Sequence, residues 1–319
     1  MDYDLFSVPI VPQLEILRIP YQGSKNSIAL NLLRKMLEIK PKAKYFVDLF
    51  GGGGSMSFTA LQLGLKVIYN EKQTSLVNFV KFIIDRINTG ERGKYGLFPD
   101  DFYNFINREE FKILKDEDSI KGQFARICYS FGNNQRDYAF GNDIEELKHL
   151  GHNIVVFQDK EALREFNDKT GSNFILSNKR TWNGRRLDFM IAIRESKTLD
   201  RFDLEQLERL QQLERLQQLE RLQQLTILNL DFQDVVIDTP EEETIVYLDP
   251  PYRNTGKYLE SVLHSEVDNY FRNLPYIAFM SEYSAPFESV LEINKMALFN
   301  IRTNSKKFAT EKLFFNKKN

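Results

Sequence analysis

The sequence has few of the residues that bind transition metals or form disulfides. Among its 319 residues there are one cysteine, Cys128, and three histidines. A lone cysteine cannot form an intramolecular disulfide and suits a reducing cytoplasm, where a packed core thiol is its commonest role. With so few nitrogen and sulfur ligands, we expect no metal site.

Long apolar runs and excess positive charge are also lacking. No apolar run approaches the roughly 20 residues that span a bilayer, and Asp2 and Asp4 stand where a signal peptide would carry basic residues. We therefore expect a cytoplasmic protein that does not enter a membrane. The formal net charge is −2, so a nucleic-acid partner would have to be held by a local basic patch.

An abrupt strand end in residues 245–252 is the strongest chemical signal in the chain. Ile-Val-Tyr-Leu is a β-prone run, and the two prolines after Asp249 end it, because proline donates no backbone hydrogen bond. In an open α/β sheet, ligands bind at this carboxyl end of the strands. The Asp249 carboxylate and the Pro250 carbonyl are two acceptors beside the Tyr252 ring, and together they suit a planar group that carries an NH2.

A glycine loop between two predicted strands indicates a nucleotide site. Residues 45–50 and 66–71 are the apolar strands, and the four glycines at 51–54 lead into a helix over residues 56–63. This order is the first half of a Rossmann-like site, in which glycines let a ligand approach the backbone and an acid, here Glu71, holds ribose hydroxyls. A flexible linker is the alternative, but linkers are not framed by two apolar strands.

Two residues depart from the Gly-x-Gly-x-x-Gly sequence that is typical of dinucleotide-binding loops, and they narrow the choice of ligand. Met56 occupies the third glycine position, and Asp48 lies at the mouth of the loop, where it would repel a pyrophosphate. A cation or zwitterion attached to a nucleoside fits better, and S-adenosylmethionine meets that description. Met56 and the lack of a plausible hydride-site histidine disfavour a NAD-linked oxidoreductase.

Two polar segments in the middle of the chain are candidates for contact with DNA. Residues 130–138 join turn-forming Gly and Asn, including Asn133, to Arg136 between aromatic residues, as a DNA-reading hairpin needs. Residues 178–186 place four cations around the only tryptophan, a composition suited to phosphates. The candidates for phosphate contact there are Lys179, Arg180 and Arg185. A solvated loop is the alternative for each segment.

A low-complexity repeat, Leu-Glu-Arg-Leu-Gln-Gln, runs three times over residues 207–224. On an α-helix, residues three apart fall about 60° short of a full turn, so the leucines are expected to wind round the helix. The spacing is not a heptad, and the adjacent Glu208 and Arg209 are not placed for helical ion pairs. We interpret the repeat as a helical spacer.

Strands are predicted again after the repeat, at residues 226–230 and 308–316. The first ends in Asp231 and Phe232, and parallel strands would bring Asp231 near Asp249. Beside a nucleoside site, Asp231 can accept a hydrogen bond from an adenine.

In this order, the motifs resemble those of the Dam-type, adenine-specific DNA methyltransferases of bacteria and their phages. The resemblance covers residues 19–90 and 226–319 well, and the middle only over residues 131–138. Its motifs are Pro20-Tyr21-Gln22-Gly23-Ser24-Lys25, Phe46-Val47-Asp48-Leu49-Phe50-Gly51-Gly52-Gly53, Asn70-Glu71, Asp231-Phe232, Asp249-Pro250-Pro251-Tyr252 and Thr310-Glu311-Lys312-Leu313-Phe314-Phe315-Asn316.

The resemblance implies an α/β fold, a Rossmann-like class I methyltransferase sheet flanked by helices with an inserted, mostly helical target-recognition domain. Residues 1–90 and 226–319 would form the catalytic domain, residues 91–200 the DNA-binding insertion, and residues 201–225 the repeat spacer. The expected cofactor is S-adenosylmethionine, and the expected partner is double-stranded DNA. We expect a monomer, with a cognate restriction endonuclease as a further candidate partner.

The resemblance also implies roles for individual residues. The cofactor-binding set is Tyr21, Lys25, Asp48, Phe50, Gly51, Gly53, Glu71, Asp231, Phe232 and Asp249. Tyr21, Lys25 and Asp48 would hold the methionine end, Glu71 the ribose, and Asp231 with Phe232 the adenine. The catalytic set is Asp249, Pro250 and Tyr252, which would grip and stack on a flipped adenine. Arg136 matches an arginine of the family's DNA-contacting hairpin.

Two alternatives stay open at this point. Methylation of the exocyclic amine of cytosine has the same chemistry, although Asp249 rather than a serine at the head of its motif, and the glycine loop before it, favour adenine. A non-catalytic DNA-binding relative would keep the fold. The presence of Asp249, Tyr252 and Glu71 favours an active enzyme.

Overall fold

A computed structural model describes residues 15–21, 23–25, 28–197, 199, 202–253, 263–300 and 305–316, so Gln22 of the first motif lies outside the described residues. The helices in these ranges are α1 (Ala29–Ile39), α2 (Ser55–Gln62), α3 (Thr74–Thr89), α4 (Arg108–Leu114), α5 (Ile120–Tyr129), α6 (Glu145–Phe157), α7 (Lys160–Thr170), α8 (Trp182–Ser196), α9 (Glu205–Glu214) and α10 (His264–Asn273). The strands are β1 (Tyr45–Asp48), β2 (Lys66–Asn70), β3 (Leu225–Leu228), β4 (Thr244–Leu248), β5 (Ile277–Glu282), β6 (Glu288–Asn300) and β7 (Ser305–Phe315).

The strands form one sheet in the order β3-β2-β1-β4-β5-β7-β6. The first five strands of that order are parallel, and β7 runs antiparallel between β5 and β6. Asp48 at the end of β1 is level with Tyr69 of β2 and Tyr247 of β4. The chain leaves β1 for β2 on one side and returns to β4 on the other. The strand order therefore reverses between β1 and β4, which is where open α/β sheets bind ligands.

Alternate residues of the central strands pack on opposite faces of the sheet. On β4, Ile245 and Tyr247 belong to the core that includes α1, α2 and α3, whereas Val246 and Leu248 belong to the core that includes α10. All five residues of β4 are buried, as expected for a parallel strand covered on both faces. The expectation of a helix-flanked α/β sheet is confirmed.

The segment between residues 91 and 200 is helical and consists mainly of α4–α8. Its buried aromatic residues, such as Phe124 and Phe189, belong to the same core as Phe58 of α2 and Phe79 of α3. The core is continuous from the sheet into these helices. A division into separate domains at residues 90 and 226 stays a prediction.

The repeat does not form a single helix. Helix α9 ends at Glu214 and is followed by two 3₁₀ turns, Arg215–Gln218 and Leu222–Gln224. The buried leucines recur every third residue and are Leu207, Leu210, Leu213, Leu216 and Leu219. The three leucines of α9 cover about 120° of the helix at this spacing, which fits one apolar face. A 3₁₀ helix has 3.0 residues per turn, so the leucines that follow stay on the same side. The prediction that the leucines wind round the helix is therefore wrong.

Strands β2 and β1 separate β3 from β4, so Asp231 and Asp249 follow strands about 14 Å apart at the usual strand spacing. The parallel strands nevertheless present both residues to one cavity at the same edge of the sheet, as predicted. Strand β6 was not predicted, although the expected last strand is present as β7. In the described part of the chain, no helix is both long and apolar enough to cross a membrane.

Candidate active site

A cavity lies at the carboxyl ends of the parallel strands, where their order reverses. It is a partly open cleft with about 920 Å³ of empty space, a figure that includes space open to solvent. The predicted residues that line it are Tyr21, Phe50, Gly51, Gly53, Glu71, Asp231, Phe232 and Asp249. Lining residues that the sequence analysis did not assign include Ser24, Ser55, Lys72, Gln73 and Pro251.

The glycine loop after β1 packs too tightly to admit side chains. A Cβ atom on Gly51 would overlap the ring of Tyr69, and one on Gly53 would overlap the backbone of Ile19. Gly54 has a φ of 75° at the N-cap of α2, a left-handed conformation that favours glycine. The loop therefore lies flat against the protein and presents backbone to the cavity.

Glu71 follows β2 and is held by two backbone amides. Its Oε2 atom accepts the N–H of Gly52 at 2.8 Å, and its Oε1 atom accepts the N–H of Gln73 at 2.8 Å. Each carboxylate oxygen can accept more than one hydrogen bond. The Glu71 carboxylate is therefore oriented by the chain where it lines the cavity.

Aromatic rings and an acid lie at the β3 end of the cavity. The rings of Phe50 and Phe232 have centroids 5.1 Å apart. The Asp231 carboxylate accepts the N–H of Gln233 at 3.2 Å and lies 3.1 Å from Nζ of Lys72. Apolar rings beside a partly exposed acceptor suit a planar heterocycle that carries an amine.

A charged cluster of Asp249, Lys25, Tyr252 and Glu311 lies at the β4 end. The Nζ atom of Lys25 is 2.7 Å from Oδ1 of Asp249 and 3.2 Å from Oε1 of Glu311. The Tyr252 hydroxyl accepts a hydrogen bond from Lys25 and donates one to Glu311. The side chains of Lys25 and Glu311 are 2% and 1% exposed, whereas that of Asp249 is 19% exposed. Within this cluster, Asp249 is thus the member that reaches the cavity.

Lys25 lies behind the cavity wall rather than in it. Its amine faces the carboxylates of Asp249 and Glu311. In the structure Lys25 is a counter-ion of Asp249, and its predicted contact with the methionine end of a cofactor stays a prediction.

Asp48 also lies outside the cavity lining and is fully buried. The Ser57 hydroxyl donates to its Oδ2 atom at 2.7 Å, which joins the end of β1 to α2. Burial raises the pKa of Asp48 to about 7, the charge of Asp249 adds to the rise, and the Ser57 hydrogen bond opposes it. This hydrogen bond is a structural contact of Asp48, and the expected contact between its carboxylate and a cofactor stays a prediction.

Pro250 and Tyr252 lie beside the cavity without lining it. The Tyr252 ring packs edge-on against Tyr283, with centroids 4.7 Å apart, and burial raises the pKa of Tyr252 well above its usual value. Tyr252 is therefore neutral at physiological pH. Stacking on a base requires this ring to become accessible when the base enters.

The first segment predicted to contact DNA is a hairpin-like loop. Ser130 and Tyr138 form an antiparallel bridge at its base. The Asn134 side chain accepts the backbone N–H groups of Arg136 and Asp137 at 2.9 and 3.0 Å. The Arg136 side chain is exposed, and Asn133, a predicted partner of DNA, has a φ of 59°. The loop is therefore well ordered by its own hydrogen bonds and presents Arg136 to solvent.

The second segment separates into exposed and buried cations. Lys179 and Arg180 are exposed. Arg185 is buried, and its guanidinium donates to the backbone carbonyls of Val155 at 2.6 Å and Val156 at 2.8 Å. These carbonyls lie in the last turn of α6, where a cation is stabilising. We therefore correct the predicted contact of Arg185 with DNA to a structural role.

Three functional candidates were not predicted. Lys72 and Gln73 directly follow Glu71, so their place in the cavity wall could have been inferred from the turn after β2. Glu311 belongs to a motif that carried the family resemblance but received no role. Nothing in the sequence links Glu311 to Lys25, because their proximity depends on β7 entering the sheet beside β5.

The sheet has five parallel strands and an antiparallel β7, and its cavity lies where the strand order reverses. This arrangement is that of a Rossmann-like methyltransferase. The sequence model of the D12 class N6 adenine-specific DNA methyltransferase family matches residues 21–312. The chain belongs to this family, and it is an enzyme that methylates adenine in DNA. The predicted family, fold class and reaction are thereby confirmed, and the cytosine and non-catalytic alternatives are set aside. No curated protein matches the chain in a sequence comparison.

Proposed function

We propose that the cavity binds S-adenosylmethionine in an extended conformation along the carboxyl edge of the sheet. The order of the strand ends carries this proposal: Asp231 follows β3, Glu71 follows β2, the glycine loop follows β1 and Asp249 follows β4. Read along the edge, these groups suit an adenine, a ribose and a methionine in turn, and then the group to be methylated. The residues that line the cavity and the oriented Glu71 carboxylate suit such a ligand.

In this arrangement, Phe50, Phe232 and Asp231 hold the adenine, and Glu71 accepts the ribose hydroxyls. Tyr21 and the backbone of Gly51 and Gly53 contact the methionine portion. When bound, S-adenosylmethionine supplies an electrophilic methyl group.

Asp249, Pro250 and Tyr252 act on the target adenine after it leaves the DNA stack. The lone pair on the exocyclic amine of adenine is delocalised into the ring, so this amine is a poor nucleophile. The Asp249 carboxylate and the Pro250 carbonyl accept hydrogen bonds from the two N–H groups of the amine, which localises the lone pair and directs it towards the methyl group. The nitrogen loses one of these protons when it gains the methyl group. Tyr252 stacks on the flipped base and offsets part of the few kcal/mol lost on unstacking.

We further propose that Arg136 and Asn133 contact DNA through the hairpin-like loop and that Lys179 and Arg180 contact its phosphates. The helical segment of residues 91–200 then serves target recognition. A monomer in the cytoplasm, with a cognate restriction endonuclease as a candidate partner, completes this proposal.

Transfer of labelled methyl from S-adenosylmethionine to unmethylated DNA, with the product nucleosides resolved, tests the proposal. We expect the label in N6-methyladenine. The variant Glu71→Gln should raise the KM for S-adenosylmethionine, because it weakens acceptance of the ribose hydroxyls, whereas Glu242→Gln, at an exposed acid before β4, should not. An unchanged KM for Glu71→Gln would contradict the proposed cofactor position.

A further inference from the structure

A group of polar side chains lies between the hairpin-like loop and the cofactor cavity. Gln123 of α5 is 0% exposed and Gln135 of the loop is 6% exposed. The Nε2 atom of Gln123 donates to Oε1 of Gln135 at 3.1 Å. Two buried carboxamides have a high desolvation cost unless they are bonded to each other or to other groups, so their pairing holds the loop to α5.

The same group continues to the wall of the cavity. The Nε2 atom of Gln73 lies 3.3 Å from Oε1 of Gln135 and 3.4 Å from Oε1 of Gln123. On the other side, the Tyr21 hydroxyl donates to Oε1 of Gln73 at 3.1 Å. The backbone N–H of Gln73 donates to Glu71 at 2.8 Å. One continuous set of hydrogen bonds therefore joins the loop to the proposed ribose acceptor.

Gln135 is fixed within the loop. Its φ is 60°, and its backbone N–H donates to Oγ of the buried Ser130 at 3.1 Å. The next residue, Arg136, points to solvent. Arg136 thus faces solvent, whereas its neighbour Gln135 faces the cavity wall. A shift of the loop on DNA would therefore also move Oε1 of Gln135, which accepts a hydrogen bond from Gln73.

We infer that Gln135 is a positioning residue that couples DNA binding at the loop to the affinity of the cavity for its cofactor, an inference that rests on the proposed function. Gln135 touches neither the DNA nor the cofactor in this scheme. It acts through Gln73, which orients Glu71 and Tyr21. Because coupling between two binding sites is reciprocal, bound cofactor should tighten DNA binding by the same factor as bound DNA tightens cofactor binding.

The experiment measures the Kd of S-adenosylhomocysteine, which has no methyl to transfer, with and without saturating fragments of unmethylated genomic DNA. For the wild-type protein we expect the two Kd values to differ by about fivefold or more. Gln135→Met keeps the size of the side chain and removes the acceptor, so the ratio should fall to about 1. Gln135→Glu keeps an acceptor for Gln73 and Gln123 and should retain the wild-type ratio.

Glu242→Gln is the control. It changes an exposed acid before β4 that has no proposed contact with DNA or cofactor, and it should keep the wild-type Kd ratio. A wild-type ratio of 1, or a wild-type ratio in Gln135→Met, would overturn the inference. Failure of the wild-type protein to bind S-adenosylhomocysteine at all would instead overturn the proposed function, and the inference with it.

The variant Gln73→Met interrupts the same set of hydrogen bonds at the cavity wall instead of at the loop. If these hydrogen bonds carry the coupling, Gln73→Met and the double variant with Gln135→Met should show the same reduced Kd ratio, because each interrupts one shared set. Additive reductions in the double variant would overturn the inference. This comparison keeps the test informative even if one single variant fails to fold.

Discussion

The Nζ atom of Lys25 lies 2.7 Å from the carboxylate of Asp249 although 224 residues separate them in the chain. Lys25 is buried behind the cavity wall, whereas Asp249 reaches the cavity. The ion pair engages Oδ1 of Asp249. Lys25 thereby helps to orient the group proposed to bind the target amine.

Replacing Lys25 should therefore impair methyl transfer more than cofactor binding. In Lys25→Met, the Asp249 and Glu311 carboxylates face each other without a cation, and we expect kcat to fall at least about 100-fold, as for loss of a positioned group. The KM for S-adenosylmethionine should change little, because Lys25 does not line the cavity.

Steady-state kinetics at saturating DNA separate the two parameters for Lys25→Met. A control is Arg34→Met, at an exposed residue of α1, which should keep wild-type kinetics. A large rise in KM with unchanged kcat would instead support the original assignment of Lys25 to the cofactor.

Asp249→Ala should abolish methyl transfer and leave cofactor binding largely intact. The substitution removes the acceptor of the target amine, and Glu71, the glycine loop and Phe232 are all retained for the cofactor. Equilibrium binding of S-adenosylmethionine and transfer of labelled methyl to DNA measure the two effects separately. Asp238→Ala, at an exposed acid before β4, is the control. Activity in Asp249→Ala would refute the catalytic role of this residue.

Asp48 predicts a pH dependence of stability. Its folded-state pKa of about 7 is raised from 3.8 by burial, so between these values the folded state binds more protons than the unfolded state. The free energy of unfolding should therefore fall as pH rises from about 4 to 7. The contribution is at most about 4.5 kcal/mol, since one pKa unit corresponds to about 1.4 kcal/mol.

The variant Asp48→Asn should lose this part of the slope and gain stability relative to wild type as pH rises towards 7. Urea unfolding at several pH values between 4 and 8 measures the difference. Equal slopes for both proteins would show that Asp48 does not titrate in that range.

Three identical hexapeptides provide an internal control for the repeat. Arg209 of the first copy is buried and donates to backbone carbonyls of Ile127, Cys128 and Ser130, at the base of the hairpin-like loop. Arg209→Met leaves these carbonyls without their donor, and we expect a loss of about 2–4 kcal/mol of stability. Arg221 occupies the same place in the third copy and is exposed.

Arg221→Met should therefore change the free energy of unfolding by less than about 0.5 kcal/mol. Denaturant unfolding of the two variants shows whether Arg209 and Arg221 contribute differently to stability or whether all copies of the repeat contribute equally. Equal destabilisation by both substitutions would show that the tertiary environment does not distinguish the copies.

Much of the catalytic part was predictable because its signals are local. The strand before Asp249 is ended by prolines, and the glycine loop is framed by two strands, so a few neighbouring residues define each element. Parallel strands then place their carboxyl ends at one edge, which is how Glu71 and Asp249 come to share a cavity. The family resemblance added the reaction, which composition and periodicity do not specify.

What the sequence determined by itself was the set of strand-end motifs, because hydrophobic periodicity, proline and glycine act within a few residues. Only the tertiary structure decided which charged groups meet and which are buried. Lys25, Asp48 and Arg185 are charged residue types in any sequence, but packing turned Lys25 towards Glu311, Asp48 towards Ser57, and Arg185 towards the end of α6. The repeat makes the same point, since identical hexapeptides bury one arginine and expose another. Burial and partner choice depend on contacts between residues distant in the chain, which local patterns do not encode.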